Sequence, residues 1–352
     1  MKMKFKYIFP LILILPFMLT AQNRPYRVGT TTANLLEIGF GSAATAMGDA
    51  YVAMSDNSSG LYWNPAGMAY LAQNEAQFSI QPWVADINMS FSSVGVVIPN
   101  IGILGIGLLY GDYGQMDVTT VSFQEGTGEQ FSANTYALSL AFARKLTNWF
   151  AFGISGKYVG MNIWHMNANA LALDLGVKIN TYFFAPDGKR TNGLRIGMSI
   201  SNYGTRMKFD GLDLTYPIDI LPDQSGNYAN TPGQFQLQGW ELPLVFRLGV
   251  ALTAIKIEHQ QLVIAVDALH PNNNAESVNF GGEYMYDAPG MGKFFLRAGY
   301  KGLFLNDAQY GPAFGAGVEK YILGNIGVRF DYVFRDVGLL GKVHAYTVGF
   351  RF

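Results

Sequence analysis

From about Ala76 onward, apolar side chains alternate with small or polar ones in blocks of roughly eight to twelve residues, each followed by a turn or loop. A period of two places successive side chains on opposite faces of a sheet. Tyr136, Leu138, Leu140 and Phe142 alternate with Thr135, Ala137, Ser139 and Ala141. Leu171, Leu173, Leu175, Val177 and Ile179 alternate with Ala172, Asp174, Gly176 and Lys178. The same rhythm runs through Leu194–Ser201, Phe246–Thr253 and Ile326–Arg335. One phase is wholly apolar and the other is small, glycine-rich or charged. Alternation alone does not say which phase faces out, but volume does. Roughly a dozen sets of Leu, Phe, Tyr and Ile would overfill a single barrel interior, and a glycine-rich outside would be poorly solvated. Apolar outside and polar inside is the membrane arrangement, and aromatics near strand ends (Trp83, Tyr110, Tyr158, Tyr203, Tyr286, Tyr300, Tyr321) suit lipid–water interfaces. The pattern predicts an all-β protein: a transmembrane antiparallel β-barrel.

Strands are predicted to start near Ala76, Met89, Ile103, Asn134, Trp149, Ala168, Gly193, Pro243, Gln261, Glu276, Lys293, Ala313, Asn325 and His344, about fourteen in all. An even number fits single-chain bacterial barrels. Connections after even-numbered strands read as compact, including Ala185–Asn192, whereas Asp112–Ala133 and Gly204–Leu242 read as long loops. Short turns face the periplasm and long loops the exterior. A weaker alternation in Asp117–Phe123 reads as a hairpin arm within the first long loop.

Composition supports this class. Of 352 residues only 14% are charged, against roughly 25% in ordinary soluble domains. No apolar run long enough for a helical span follows the N-terminus. A net charge of −1 leaves no electrostatic footprint for nucleic acid, and the absence of cysteine excludes disulfides and thiolate chemistry. Lys2, Lys4 and Lys6 ahead of the apolar stretch Ile8–Leu19 and Ala21 read as an export signal spanning 1–21. At the other end, Tyr346, Val348, Phe350 and Phe352 share the lipid phase. Phe350 and Phe352 there resemble the C-terminal signal read by the outer-membrane barrel assembly machinery.

Residues 22–75 do not alternate. Ser42–Met47 is helix-compatible, Ala50–Met54 is compatible with a short strand, and Pro65 suits the opening of a helical turn. The segment is too short to have a core of its own, so it is expected to pack in the lumen as a plug, with 76–352 forming the barrel. Gly41-Ser42-Ala43-Ala44-Thr45-Ala46-Met47-Gly48-Asp49-Ala50-Tyr51-Val52-Ala53 and then Asp56-Asn57-Ser58-Ser59-Gly60-Leu61-Tyr62-Trp63-Asn64-Pro65-Ala66-Gly67 resemble the opening of the PorV/PorQ group. These are outer-membrane proteins of type IX secretion, within the FadL-like barrel superfamily. Leu242–Gly249 and Asp331–Phe334, followed by Gly338–Gly341 and His344, resemble that group as well. The resemblance implies fourteen strands with the N-terminal segment inside, in the bacterial outer membrane. Asn64, Pro65, Ala66 and Gly67 form its most specific element, the plug or hatch motif, although that element does not separate secretion components from transporters.

No catalytic constellation stands out. His165, His259, His270 and His344 lack metal-ligand spacing, Gly153-Ile154-Ser155-Gly156 is not a nucleophile elbow, and nothing calls for a metal or cofactor. Luminal-phase glycines (Gly249, Gly281, Gly299, Gly315, Gly317, Gly327) make room for an internal segment or ligand. Luminal-phase charges, Lys157, Lys178, Arg195, Arg247, Arg297, Arg329 and Arg351 with Asp174, Asp267, Glu283 and Asp331, read as ion pairs holding a plug rather than as an open conduit. Three readings remain, one of them a structural barrel with no cargo. As a non-enzymatic secretion component, the barrel would have membrane lipid, other secretion proteins and secreted cargo as partners, with loops 112–133 and 204–242 as contacts or as a lid. As a transporter, it would hold a hydrophobic molecule or detergent in a luminal pocket around Phe40, Met47 and Met68.

Overall fold

The computed structural model describes residues 27–226, 230–305, 308–322 and 324–352; the expected leader 1–21 lies outside them. Among these residues fourteen long strands form one closed barrel. They are β1 (Glu75–Pro82), β2 (Asn88–Ile98), β3 (Gly102–Asp117), β4 (Gln130–Lys145), β5 (Phe150–Ile163), β6 (Met166–Asn180) and β7 (Arg195–Gly204), then β8 (Val245–Ile257), β9 (Gln260–Pro271), β10 (Ser277–Ala288), β11 (Gly292–Leu303), β12 (Pro312–Ile322), β13 (Ile326–Asp336) and β14 (Lys342–Arg351). Each pairs antiparallel with its neighbours in sequence, and β14 closes on β1 through Glu75↔Arg351 to Ile80↔Tyr346. Closure leaves no sheet edge with unpaired backbone groups, which hydrocarbon would not tolerate.

The orientation is the one that alternation and volume predict. On β4, Leu138 and Leu140 are 51% and 63% exposed while Ala137 and Ala141 are 2% and 3%. The barrel thus turns its large apolar side chains outward. Its inner face carries small side chains and ions, including buried Lys178, Asp174, Arg247 and Arg297.

Four local features differ from the alternation reading. The first long loop is shorter than 112–133, because β3 and β4 continue as a hairpin to Asp117↔Gln130 past a bulge between Asp112 and Gln115. The anticipated arm over Asp117–Phe123 extends the ladder only to Val118, whose N–H donates to the Glu129 carbonyl, before a turn at Thr120–Phe123. The connection read as Ala185–Asn192 spans 181–194 and exposes Tyr182, Phe183 and Phe184. Finally, Ala50–Met54 is a run of turns rather than a strand. The reason is a distant partner: the Tyr51 and Val52 N–H groups donate to the Asp267 carboxylate, at 2.8 and 2.9 Å, instead of to a strand.

Before β1 the chain forms only short elements: 3-10 turns at Asn34–Glu37 and Pro65–Tyr70, and helices α1 (Ser42–Ala46) and α2 (Gly60–Trp63). Nearly every residue from Leu35 to Ala69 is buried, with the side chains packed against the barrel's inner wall.

The inverted barrel makes a direct prediction. Leu140→Arg places a charge on the hydrocarbon face and should lower folding stability in lipid vesicles by about 2–4 kcal/mol, measured by denaturant titration. A water-facing site would give a change near zero.

Candidate functional site

The site is the seam between the N-terminal segment and the wall. Asn64 is its clearest joint. Its side-chain amide donates to the Val52 carbonyl at 3.1 Å and to the Val177 carbonyl of β6 at 3.0 Å, while its Oδ1 accepts from the Ala66 N–H at 3.1 Å. Asn64 therefore caps the Pro65–Tyr70 turn and ties it to the wall, and Pro65 at the first position has no N–H to leave unsatisfied. Ala66 is wholly buried, and Gly67 packs so closely on Ser55 that a methyl there would lie 2.0 Å from its carbonyl oxygen. The Asn64–Gly67 element is thus a knuckle seated on β5 and β6, where Gly153 and Gly176 leave space for it. Methyl groups on those glycines would lie 2.3 Å from the Pro65 carbonyl carbon and 2.1 Å from the Asn64 Oδ1.

The opposite wall repeats the device. Methyl groups on Gly281 and Gly299 would lie 2.3 and 2.1 Å from the Met47 carbonyl oxygen and carbon. Gly48 turns there with φ +62, which favours glycine, and its own methyl would meet the Tyr300 backbone at 2.4 Å.

Charges complete the seam. Asp49 accepts from the guanidinium of Arg335 on β13 and from the Lys301 ammonium of β11 at 2.8 Å. Burial opposes the charge on Asp49, but Arg335 and Lys301 outweigh it and hold the carboxyl below its ordinary 3.8. Asp56 pairs with the buried Lys178 and lies 4.0 Å from Arg195. In return the wall offers acceptors to backbone N–H groups of the segment. Asp267 takes Tyr51 and Val52, and Glu75 takes Ser58 at 2.8 Å while pairing with Arg351 at 2.9 Å. Other wall ions pair among themselves: Lys157 with Asp174 at 2.6 Å, and Arg297 with Glu283 at 2.6 Å and Asp331 at 2.7 Å. Alternation located most of the wall ions but missed Asp49, Asp56, Lys301 and Arg335 as partners. One signal was available, since Asp49 and Asp56 are the only charged residues between Glu37 and Glu75.

Phe40, Met47 and Met68 all belong to one hydrophobic cluster and have no exposed surface. Phe40 packs on Tyr62 and Phe91 with ring centroids 5.6 and 6.1 Å away, Met47 fills the space at Gly281 and Gly299, and Met68 fills that at Gly105. At the long-loop end a cavity of about 110 Å³ is lined by Glu37, Arg247, Lys301 and Tyr310. Burial pushes the Glu37 carboxyl up there, against Asn273, Lys301 and Arg247.

Above this mouth stands the connection 205–244. Its base is anchored: Met207 and Trp240 exchange backbone hydrogen bonds at 2.8 Å, Arg206 pairs with Glu241 at 3.0 Å, and the Thr32 N–H donates to the Glu241 carbonyl at 3.0 Å. Beyond the base it forms a two-stranded hairpin, Thr215–Ile218 with Thr231–Gln234, and on or beside it Leu212, Tyr216 and Phe235 are 74%, 56% and 60% exposed. At the far end of the chain Phe350 faces outward from β14, half exposed, and the Phe352 N–H donates to the Asn74 carbonyl at 3.0 Å.

Two substitutions test the seam. Asp49→Asn strands Arg335 and Lys301 without their anion and should cost about 3–5 kcal/mol in denaturant titration at pH 7. Because Asp49 titrates below its ordinary value when folded, its contribution is complete above that value and is lost as pH falls through the folded one. The gap between wild type and variant should therefore close only below about pH 3.8. Gly299→Val drives a side chain into the Met47 backbone. It should cost roughly 1–3 kcal/mol and open the segment to protease while the barrel keeps its heat-modifiable mobility on gels.

Comparison with known proteins gives the chain a family. The sequence pattern described as "Type IX secretion system protein PorV" matches residues 20–219, more than half of the chain. No curated protein matches. Among solved structures, the CymD monoaromatic hydrocarbon channel is similar at 12% identity and a TM-score of 0.54, covering 89% of this chain and 96% of its own. The Ralstonia pickettii toluene transporter TbuX is similar at 10% identity and a TM-score of 0.52, covering 89% and 98%. At such identities the likeness shows the fold alone, a closed antiparallel β-barrel like that of these two proteins. With its fourteen-strand barrel and the match over residues 20–219, the chain belongs to the PorV family of type IX secretion system proteins.

Proposed function

We propose that this barrel serves type IX secretion as a non-enzymatic docking platform. In this reading residues 22–75 act as a plug that keeps the membrane sealed, and the long loops hold secreted-protein partners at the cell surface. Phe350 and Phe352 would guide the last strand to the assembly machinery, and outer-membrane lipid is the permanent partner of the wall. The observation that carries the reading is the apolar surface of the long connection, with Leu212, Tyr216 and Phe235 exposed above a firmly anchored base. Exposed apolar patches of this kind mark interaction sites. The filled lumen supports the sealed state: Phe40, Met47 and Met68 are packed to zero exposure by the wall and the segment itself.

The rival role is transport of a hydrophobic compound, as in the channel and transporter with the same fold. It requires free space beside those three residues, and their packing weighs against it.

The test is capture of secreted proteins bearing a C-terminal sorting domain, from a strain with an intact secretion system. Wild-type barrel should retain them, and a Leu212→Ser, Tyr216→Ser, Phe235→Ser triple variant should retain at least tenfold less while still folding. Equal capture by both would overturn the docking role, whereas a hydrophobic compound co-purifying in the lumen would favour transport.

A further inference from the structure

The lipid-facing wall holds a cavity of about 520 Å³ that none of the roles above uses. It follows from the register of β5 to β8. Ile154, Leu175 and Ile200 are matched across these strands and form one outward ridge, continued by Phe246. Phe152, Val177 and Met198 are matched in the same way and form a second ridge. Between the ridges run Gly153, Gly176 and Ser199, also in register, so the floor is bare backbone on its lipid side.

The floor is closed from within. Pro65 and Asn64 press against Gly153 and Gly176, at the 2.3 and 2.1 Å separations that a methyl there would have. The cavity therefore fills from the bilayer and not from the lumen. Its volume is in the range of small-molecule pockets, about 300–1,000 Å³, and its lining is apolar apart from the buried Ser199.

Depth and charge identify the occupant. Gly176 and Ser199 lie four residues from the ends of their strands at Asn180 and Arg195, on the side of the barrel that carries the short turn 146–149. That is about 13 Å along the strand at ~3.3 Å per residue, inside one leaflet of a hydrocarbon core about 30 Å thick. Short turns face the periplasm. The two connections below the cavity, 146–149 and 181–194, with Arg144 just before the first, carry Arg144, Lys189 and Arg190 against a single acid, Asp187, whereas Lys145 turns inward over the Tyr70 ring. Basic side chains at a membrane surface attract phosphate headgroups, and the exposed Tyr182, Phe183 and Phe184 suit the interface.

We propose that this groove binds an acyl chain of one phospholipid from the periplasmic leaflet, with its phosphate held by the basic rim below. The Asn64–Gly67 knuckle backs the wall here, so the lipid rests on a preformed surface.

The probe is phosphatidylethanolamine added to the full-length barrel in mild detergent, with retention read by native mass spectrometry. Wild type should retain one molecule per barrel. Val177→Trp and Met198→Trp fill the groove from one ridge and should lower retention at least fivefold. Leu138→Trp, outward-facing on β4 away from the groove, should leave it unchanged. Gel mobility checks folding, and Ile200→Trp on the other ridge replaces any variant that fails it. Undiminished retention in the groove variants, no retained phospholipid in wild type, or preference for free fatty acid over the phospholipid would each overturn the proposal.

Discussion

Everything in this molecule follows from hydrocarbon's refusal of charge. A sheet closed in a bilayer must send its ionic side chains inward, where water is limited and an unpaired ion is costly. The wall alone does not balance itself: Lys178, Lys301 and Arg335 point at carboxylates that belong to the N-terminal segment. The segment is thus an electrostatic part of the barrel rather than an addition to it. Asp49 and Asp56, the sole charges along thirty-odd residues of small and apolar side chains, sit where the wall's cations need them.

Close approach is the second half of the same arrangement. An ion pair fixes position only if the backbones that carry it come near, and the inner wall is cut back to hydrogen where the segment touches it. Gly281 and Gly299 face Met47, and Gly153 and Gly176 face the Asn64–Pro65 knuckle. Backbone contacts on nearly opposite sides of the barrel, tied by charges between them, give the segment a single seat. The lumen is occupied as a consequence, and what the barrel offers its surroundings is its outer wall and its loops.

Much of this was legible in the sequence, for a physical reason. Alternation is a local property, so Tyr136–Phe142 against Thr135–Ala141 announces both a strand and its two faces without reference to anything distant. All fourteen strand starts fall within four residues of the predicted positions, and the largest gap, at Gln130, arises because the hairpin continues beyond the membrane, where alternation is no longer enforced by lipid. Pairing partners are not local. Nothing beside Asp49 indicates that Arg335 will meet it, since barrel closure brings together residues nearly three hundred positions apart. The same holds for Ala50–Met54, whose composition permits a strand until Asp267 of a distant strand claims its N–H groups. The Asn64–Gly67 element stood out as a motif, but its role as a joint needed the two glycines opposite it.

The central claim is that the segment preceding β1 is an integral, seated part of the barrel. Amide hydrogen exchange of the lipid-embedded protein, resolved by mass spectrometry across residues 42–68, tests it most directly. The account predicts protection comparable to that of the surrounding strands, lasting for hours. Exchange as fast as at the exposed 119–127 loop tip would show that the segment is not held within the wall, and the account would fail.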